Sequence, residues 1–585
     1  MEQEEIVKGY DPEIVRRLST YTLPFRGLVL GAALAMLIST ATELLGPVIL
    51  RRTIDGFILA GVPGAREGIA HNSFLLLLLL LAGLVFSFLE IYLTALAGQK
   101  VMKALRMDLY GRVIRRSLAF IGSHPTGRLV TRLTNDVETV NELFTSVLTS
   151  LAKDIFIMAG VIITLFALDP VLALATTLSL PPVLGLALYF RVKARDAFRQ
   201  VRIWVSRVNS FLAEHLGGIR VIQFFTREEK VKREFARAGR ALMRANLGEM
   251  YIFATFRPII DFLSSLSLGV ILYVGAVRHL GGALSLGTLV AFINLIRKFY
   301  QPVMDLSEKY TILQSAMAGS ERIFQLLDDE RRIPDTGREP LPQPVAGAVE
   351  FRNVSFAYKP GEPVLRGVSL SVPPGETAAL VGFTGAGKST IAHLLTRLWD
   401  PDGGTILLDG RDLRSFPLET LRRAVQPIQQ DVFLFSRSIR ENIDLGLGLP
   451  EEALREAARA AQIHDFIMGL PDGYDTLLHE GAVNISSGQR QLLSFARIIA
   501  HNPPVLILDE ATSSIDTETE KLVQKAMTAL LQGRTALVIA HRLSTVRSAH
   551  RIYVLGGGRV LEEGSHEELL ARGGVYQSLH KLQTM

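Results

Sequence analysis

Apolar residues crowd into the first half of the chain, and they come in blocks of membrane length. A helix crosses the ~30 Å hydrocarbon core with about 20 residues. Six blocks before about residue 310 meet that length: residues 25–50, 74–93, 148–168, 171–189, 252–277 and 286–304. The second contains FLLLLLLLAGLVFSFLEIYL, a run without a polar face. Long helices packed in a water-soluble domain keep such a face, so the leucine run argues against that arrangement. Only Asp169-Pro170 separates the third block from the fourth, a pair suited to a tight turn.

Between the second and third blocks lie Lys100, Lys103, Arg106, Arg112, Arg115, Arg116, Arg128 and Arg132. Between the fourth and fifth lie Arg191, Lys193, Arg195, Arg199, Arg202 and Arg207. The remaining loops are shorter and less basic, although Arg51, Arg52 and Arg66 fall on the opposite side. The positive-inside tendency therefore places both long loops, and both termini, in the cytoplasm. Both loops keep a helical period, which predicts that the spans continue beyond the bilayer before turning back.

The pattern changes at LLDDERRIPDTGREPLPQPVAG, residues 326–347, where repeated proline and charge predict a linker. Beyond it, short β-branched strands alternate with helices, as in an α/β nucleotide-binding domain. The expected organisation is a membrane domain over residues 1–327, a linker over 328–347 and an ATP-binding domain over 348–585. The fold class is an α-helical six-span transmembrane domain followed by an α/β P-loop ATPase domain.

Composition agrees with a chain of two characters. Hydrophobic residues make up 48% of its 585 positions, yet 21% are charged, and the mean hydropathy is +0.28. The absence of Cys excludes disulfides, thiolate metal sites and cysteine nucleophiles. A net charge of +6 is small for this size and argues against a nucleic-acid partner. The acidic, polar start MEQEEIVKGYDPEIVRRL is not that of a cleavable signal peptide.

Two motifs carry chemistry. AALVGFTGAGKST, residues 378–390, is an apolar strand, a glycine loop and a helix start. Gly382, Gly385 and Gly387 let backbone N–H groups wrap phosphates, and the helix N-terminus favours negative charge. Lys388 is expected at the β- and γ-phosphates, Ser389 on Mg²⁺ and Thr390 beside the phosphates. PVLILDEATSSID, residues 504–516, is a buried strand that ends in Asp509 and Glu510. Asp509 suits Mg²⁺ coordination, and Glu510 suits polarising the attacking water, because phosphoryl transfer rests on positioning and charge stabilisation.

Over essentially its whole length the chain resembles an ABC transporter of the exporter type. The resemblance implies that Tyr358 in FAY stacks on adenine and that Gln430 in IQQDVFLFS reaches Mg²⁺ and water. It further implies that Asp516 in SSID belongs to the D-loop and that His541 in IAHRLST contacts the γ-phosphate. The loops at residues 125–140 and 209–230 resemble those that end in short coupling helices docking onto the ATPase domains. Where the family signature reads Leu-Ser-Gly-Gly-Gln, this chain has Ile485-Ser486-Ser487-Gly488-Gln489. In the family this signature closes over ATP held by the other chain of a dimer. Ser486, Gly488 and Gln489 are retained, while Ser487 adds a side chain where backbone approaches ligand.

With Lys388, Ser389, Asp509, Glu510 and His541 intact, that departure favours a heterodimer with a second half-transporter whose signature is complete. A homodimer that tolerates serine is the alternative. The expected activity is ATP- and Mg²⁺-dependent export of small amphipathic compounds or lipids across the bacterial inner membrane, with membrane lipids as surroundings. Alternatives are a homodimeric lipid flippase and a membrane-anchored ATPase without transport. Ionisable residues within spans are expensive and face cavities or partners. Here they are Glu43, Glu90, Lys153, Asp154, Arg257, Asp261, Arg297 and Lys298. Arg257 and Asp261, one turn apart, are expected to neutralise each other. The sixth block, with Asn294, Arg297 and Lys298, presents either a basic wall to substrate or partners for carboxylates elsewhere.

Overall fold

The computed structural model describes residues 11–60, 63–178, 180–428, 432–509, 517–540 and 543–584. The chain forms two compact units: Met1–Ile114 with Thr126–Asp329, and Arg115–Pro125 with Glu330–Met585.

The first unit is helical. Its long elements are Arg26–Thr53, Ala65–Val113, Thr149–Leu168, Leu180–Gly217, Glu228–Leu280 and Leu286–Asp328. The Ala65–Val113 helix has 49 residues and Glu228–Leu280 has 53. At ~1.5 Å per residue each is more than twice as long as a ~30 Å hydrocarbon core. Among the described residues, four continuous helical stretches are long and apolar enough to cross a membrane: Pro12–Ile58, Ala65–Val113, Thr126–Leu168 and Glu228–Leu280. The other two expected spans fall on the shorter apolar stretch Pro170–Val183 and on the Leu286–Asp328 helix.

In the Ala65–Val113 helix only 6% of the most apolar window is buried. Leu80, Leu84, Phe88 and Ile91 are each more than 60% exposed. An apolar face left open along a whole helix is matched by lipid rather than water. The interior of the unit is packed by Val161, Leu172, Ile260, Ile271, Phe292 and Leu295. The Asp169-Pro170 turn forms as expected. Asp169 caps the next helix by accepting from the Leu172 N–H at 2.8 Å, and its other oxygen accepts from Arg278 at 3.0 Å.

Most of the charges within spans are matched. Lys153 Nζ lies 3.1 Å from Glu43 and 3.6 Å from Glu90, and Lys298 Nζ lies 3.8 Å from Glu43. Asp154 pairs with Lys309. Of the two readings of the sixth block, the carboxylate partner holds for Lys298, whose charge is answered by Glu43 on another helix. The expected pairing of Arg257 with Asp261 is corrected: both are exposed, and among the described residues no ion pair joins them. An exposed pair gains little from contact, and this turn of helix contains Pro258.

The second unit holds two sheets. A four-stranded antiparallel sheet runs β2-β1-β4-β5, built from β1 (Val349–Ala357), β2 (Pro363–Val372), β4 (Gly403–Leu408) and β5 (Arg411–Asp412). A six-stranded sheet runs β10-β9-β3-β8-β7-β6, with β3 at Thr377–Gly382, β6 at Val425–Ile428 and β7 at Val505–Asp509. The remaining strands are β8 (Thr535–Ile539), β9 (Arg551–Gly556) and β10 (Arg559–Gly564). All its pairings are parallel except β9 with β10. Strands buried on both faces carry no polar alternation. Val505 and Ile507 enter the core shared with the antiparallel sheet, whereas Leu506 and Leu508 enter the core under the helices.

The long helix runs to Asp328, and beyond it the segment read as a linker has no regular structure, yet it is tied to the second unit. Arg397, almost fully buried, donates to Pro334 O at 2.8 Å, and Glu339 N donates to Ser415 O at 3.0 Å. Arg331 O accepts from Ser117 N, which leads into the Leu118–Ser123 helix at the tip of the first long loop.

Breaking a largely buried ion pair leaves a charge uncompensated, at a cost of about 3 kcal/mol. Lys153→Met is therefore expected to lower the thermal stability of the full chain in detergent, and adding Glu90→Gln to recover part of the loss. Equal stability of Lys153→Met and the parent would show that the network contributes nothing.

Candidate functional site

The phosphate loop begins where β3 ends. β3 lies between β8 and β9, so Gly382 is pressed against Leu555: a Cβ at residue 382 would sit 2.2 Å from the Leu555 carbonyl oxygen, and φ there is 151°. Gly387, the N-cap of the Lys388–Leu395 helix, has φ 100°, and a Cβ there would sit 2.6 Å from Leu365. Both positions require glycine for space and for backbone conformation.

Lys388 is buried, and its Nζ donates to the carbonyls of Gly382 at 2.8 Å and Phe383 at 3.1 Å. Burial pushes its pKa down, and the Asp509 carboxylate pulls it back up. A buried ammonium that spans the loop, at the start of a helix, suits an anionic ligand. Ser389 is exposed on the same turn, and Thr390 is buried.

Register puts the other expected residues at this end of the sheet. Leu380 of β3 pairs with Ile539 of β8, Ile539 pairs with Asp509 of β7, and Leu508 pairs with Ile428 of β6. The parallel strands therefore end together, the edge at which open α/β sheets bind ligands. Gln430, Glu510, Asp516 and His541 lie outside the described residues. Among the described residues no group of three His, Asp or Glu side chains gathers as a metal cluster. Magnesium needs none, since it is held by one or two carboxylates, a hydroxyl, water and phosphate oxygens. Ser389 and Asp509 supply oxygen donors of that kind.

Tyr358 follows β1 and is 39% exposed. Its hydroxyl lies 3.2 Å from Thr390 Oγ1 and 3.0 Å from His393 Nδ1. Its ring meets Phe356 and Trp399 edge-on. His393 and Trp399 were not among the residues singled out from sequence. The legible signal was spacing, since Thr390 and His393 stand three apart on one helix and share a face.

The signature is built separately. Ser486 caps the Ser487–His501 helix by accepting from Gln489 N at 3.2 Å, and Gln489 Oε1 accepts from Ser486 N at 2.9 Å. This reciprocal capping box fixes the helix start. Ser487 is its first residue and is exposed, and it is not among the residues with positive φ. Among the described residues no hydrogen bond joins Ser486, Gly488 or Gln489 to Gly382–Thr390. Phosphate loop and signature thus stand at the heads of two different helices of one unit.

Residues 29–303 match the family described as the ABC transporter transmembrane region, and residues 365–513 match that described as ABC transporter. An uncharacterized ABC transporter ATP-binding protein of Bacillus subtilis (strain 168), YknV, is 37% identical over 596 residues, or 99% of this chain and 96% of its own. The chain belongs to the ABC exporter family. The ATP-dependent lipid A-core flippase of Syntrophus aciditrophicus (strain SB) is 38% identical over 498 residues, 85% of this chain and 83% of its own. The structure of a bacterial Atm1-family ABC exporter with ATP bound matches with TM-score 0.79 at 28% identity, covering 96% of this chain and 98% of that one. The exporter is accordingly an ATP-dependent translocase that works as one half of a dimer. Its helical domain lies in the bacterial inner membrane and its ATPase domain in the cytoplasm.

Removing an N-cap serine costs about 1 kcal/mol, while an exposed substitution usually changes stability by less than about 0.5 kcal/mol. In the exporter, Ser486→Ala is expected to speed hydrogen–deuterium exchange across the Ser487–His501 helix about five-fold, and Ser487→Gly to leave it nearly unchanged. A Ser487→Gly effect as large as that of Ser486→Ala would show that the serine supports its own helix.

Proposed function

We propose that this exporter is the catalytically complete half of a heterodimer that moves amphipathic small molecules or lipids out of the cytoplasmic leaflet. The carrying observation is Ser487. It is exposed at the head of a well-capped helix, in the signature position where the chain carries a side chain in place of the family's glycine, and a helical first residue does not require glycine. That exposed position lies on the helix start which, in the family, closes over nucleotide held by the other chain. The phosphate loop of the same chain is intact, which supports full chemistry in its own pocket and weakened closure over a partner's.

In this reading residues 1–327 form a six-span domain, 328–347 the linker and 348–585 the ATPase. Gly382, Gly385, Gly387, Lys388 and Thr390 hold the phosphates, and Tyr358 stacks on adenine. Ser389, Asp509 and Gln430 hold Mg²⁺, which neutralises phosphate charge when bound. Glu510 orients and polarises the attacking water, and His541 contacts the γ-phosphate. Ser486, Gly488, Gln489 and Asp516 close the dimer interface over nucleotide. The name of the lipid A-core flippase relative supports a lipid or lipid-like substrate.

Glu510→Gln is expected to leave ATP affinity nearly intact and to lower steady-state hydrolysis by orders of magnitude, because it removes the group that positions water. Turnover close to the parent's would assign that role to another carboxylate. The chain expressed alone is expected to hydrolyse ATP poorly, with Ser487→Gly raising its rate. Co-expression with a half-transporter of complete signature is expected to restore activity without that change. A homodimer that is fully active and indifferent to Ser487→Gly would overturn the heterodimer.

A further inference from the structure

The Lys388–Leu395 helix does more than present Lys388. One turn into it, Thr390 Oγ1 and His393 Nδ1 converge on the Tyr358 hydroxyl, at 3.2 and 3.0 Å. The phenol has one proton and two partners. If it donates to Thr390, His393 donates through Nδ1–H. If it donates to His393, the Thr390 hydroxyl donates back. Both arrangements satisfy all three groups. Burial lowers the pKa of the His393 imidazole, which favours the neutral ring that either arrangement uses.

Tyr358 has reason to be tied down. It follows the end of β1, its edge-on neighbours Phe356 and Trp399 have ring centroids 4.9 and 5.0 Å away, and 39% of its surface is open. A ring held only by edge contacts still has torsional freedom, and stacking a base on it would remove that freedom. Fixing the ring in advance strengthens binding by avoiding that loss.

We propose that His393 is a positioning residue for the nucleotide: with Thr390 it anchors the Tyr358 hydroxyl to the phosphate-loop helix, so that the ring face is set for adenine before ATP arrives. The inference rests on the base-stacking reading of Tyr358 and extends it. Phosphate and base recognition then share one helix, and His393 acts on the base without touching it.

The test measures equilibrium affinity of the full-length exporter for ATP, with inorganic tripolyphosphate as a competitor that carries no base. His393→Leu, which keeps bulk and loses the hydrogen bond, is expected to weaken ATP binding about three- to ten-fold while tripolyphosphate affinity stays near the parent value. His393→Asn, whose side-chain amide can reach the phenol, is expected to recover most of the loss. Tyr358→Phe is expected to match His393→Leu, and the double variant to be no worse than either, because the two changes break one interaction. Equal losses for ATP and tripolyphosphate would mean that His393 merely supports the phosphate loop, and would overturn the proposal. Additive losses in the double variant would overturn it as well. If His393→Leu does not fold, Tyr358→Phe and His393→Asn decide: parent affinity in Tyr358→Phe defeats the proposal. Parent affinity in Tyr358→Ala would instead defeat the base-stacking reading beneath it.

Discussion

The approach of β3 to β9 at Gly382 sets the geometry on which the ATPase unit depends. With the Leu555 carbonyl 2.2 Å from where a Cβ would stand, the chain leaves the sheet through a conformation open to glycine and enters the next helix through another, at Gly387. That path carries Lys388 back across the loop to the Gly382 and Phe383 carbonyls. It also aims the first turn of the helix at Tyr358. Phosphate loop, lysine and aromatic anchor are therefore linked through one helix, and the parallel register brings Asp509 to the same edge.

The membrane unit answers to a different solvent. With no water to hydrate charge, ionisable side chains in a span must find partners or a polar cavity. Glu43, Glu90, Lys153 and Lys298 do so across four helices. The network is neutral overall, so it joins helices without leaving net charge in hydrocarbon. The face of the Ala65–Val113 helix formed by Leu80, Leu84, Phe88 and Ile91 is open and apolar and suits lipid.

Phosphate loop and signature head two different helices of one unit. Under the heterodimer proposed above, each nucleotide pocket takes Lys388 and Asp509 from one chain and a Ser486-type helix start from the other, so a substitution at Ser487 acts on the partner's pocket. The capping box of Ser486 and Gln489 fixes the helix start, and Ser487 lies outside the left-handed backbone region that would call for glycine.

Sequence by itself determined the division into an apolar helical half and an α/β half, the long helices, the Asp169-Pro170 turn, the phosphate loop and the strand ending in Asp509. Each of these is written in local periodicity, in glycine and proline, or in contiguous motifs, where neighbours along the chain are neighbours in space. The tertiary structure decided which charges pair, because Lys153 and Glu90 lie on different helices and their contact depends on how those helices pack. For the same reason Arg257 and Asp261, adjacent on one turn, proved a misleading pair. It decided that the proline-rich linker is bound, through the Arg397 contact to the Pro334 carbonyl. It decided too that His393 meets Tyr358, since a strand end and a helix 35 residues later come together only once both sheets have packed on their shared core.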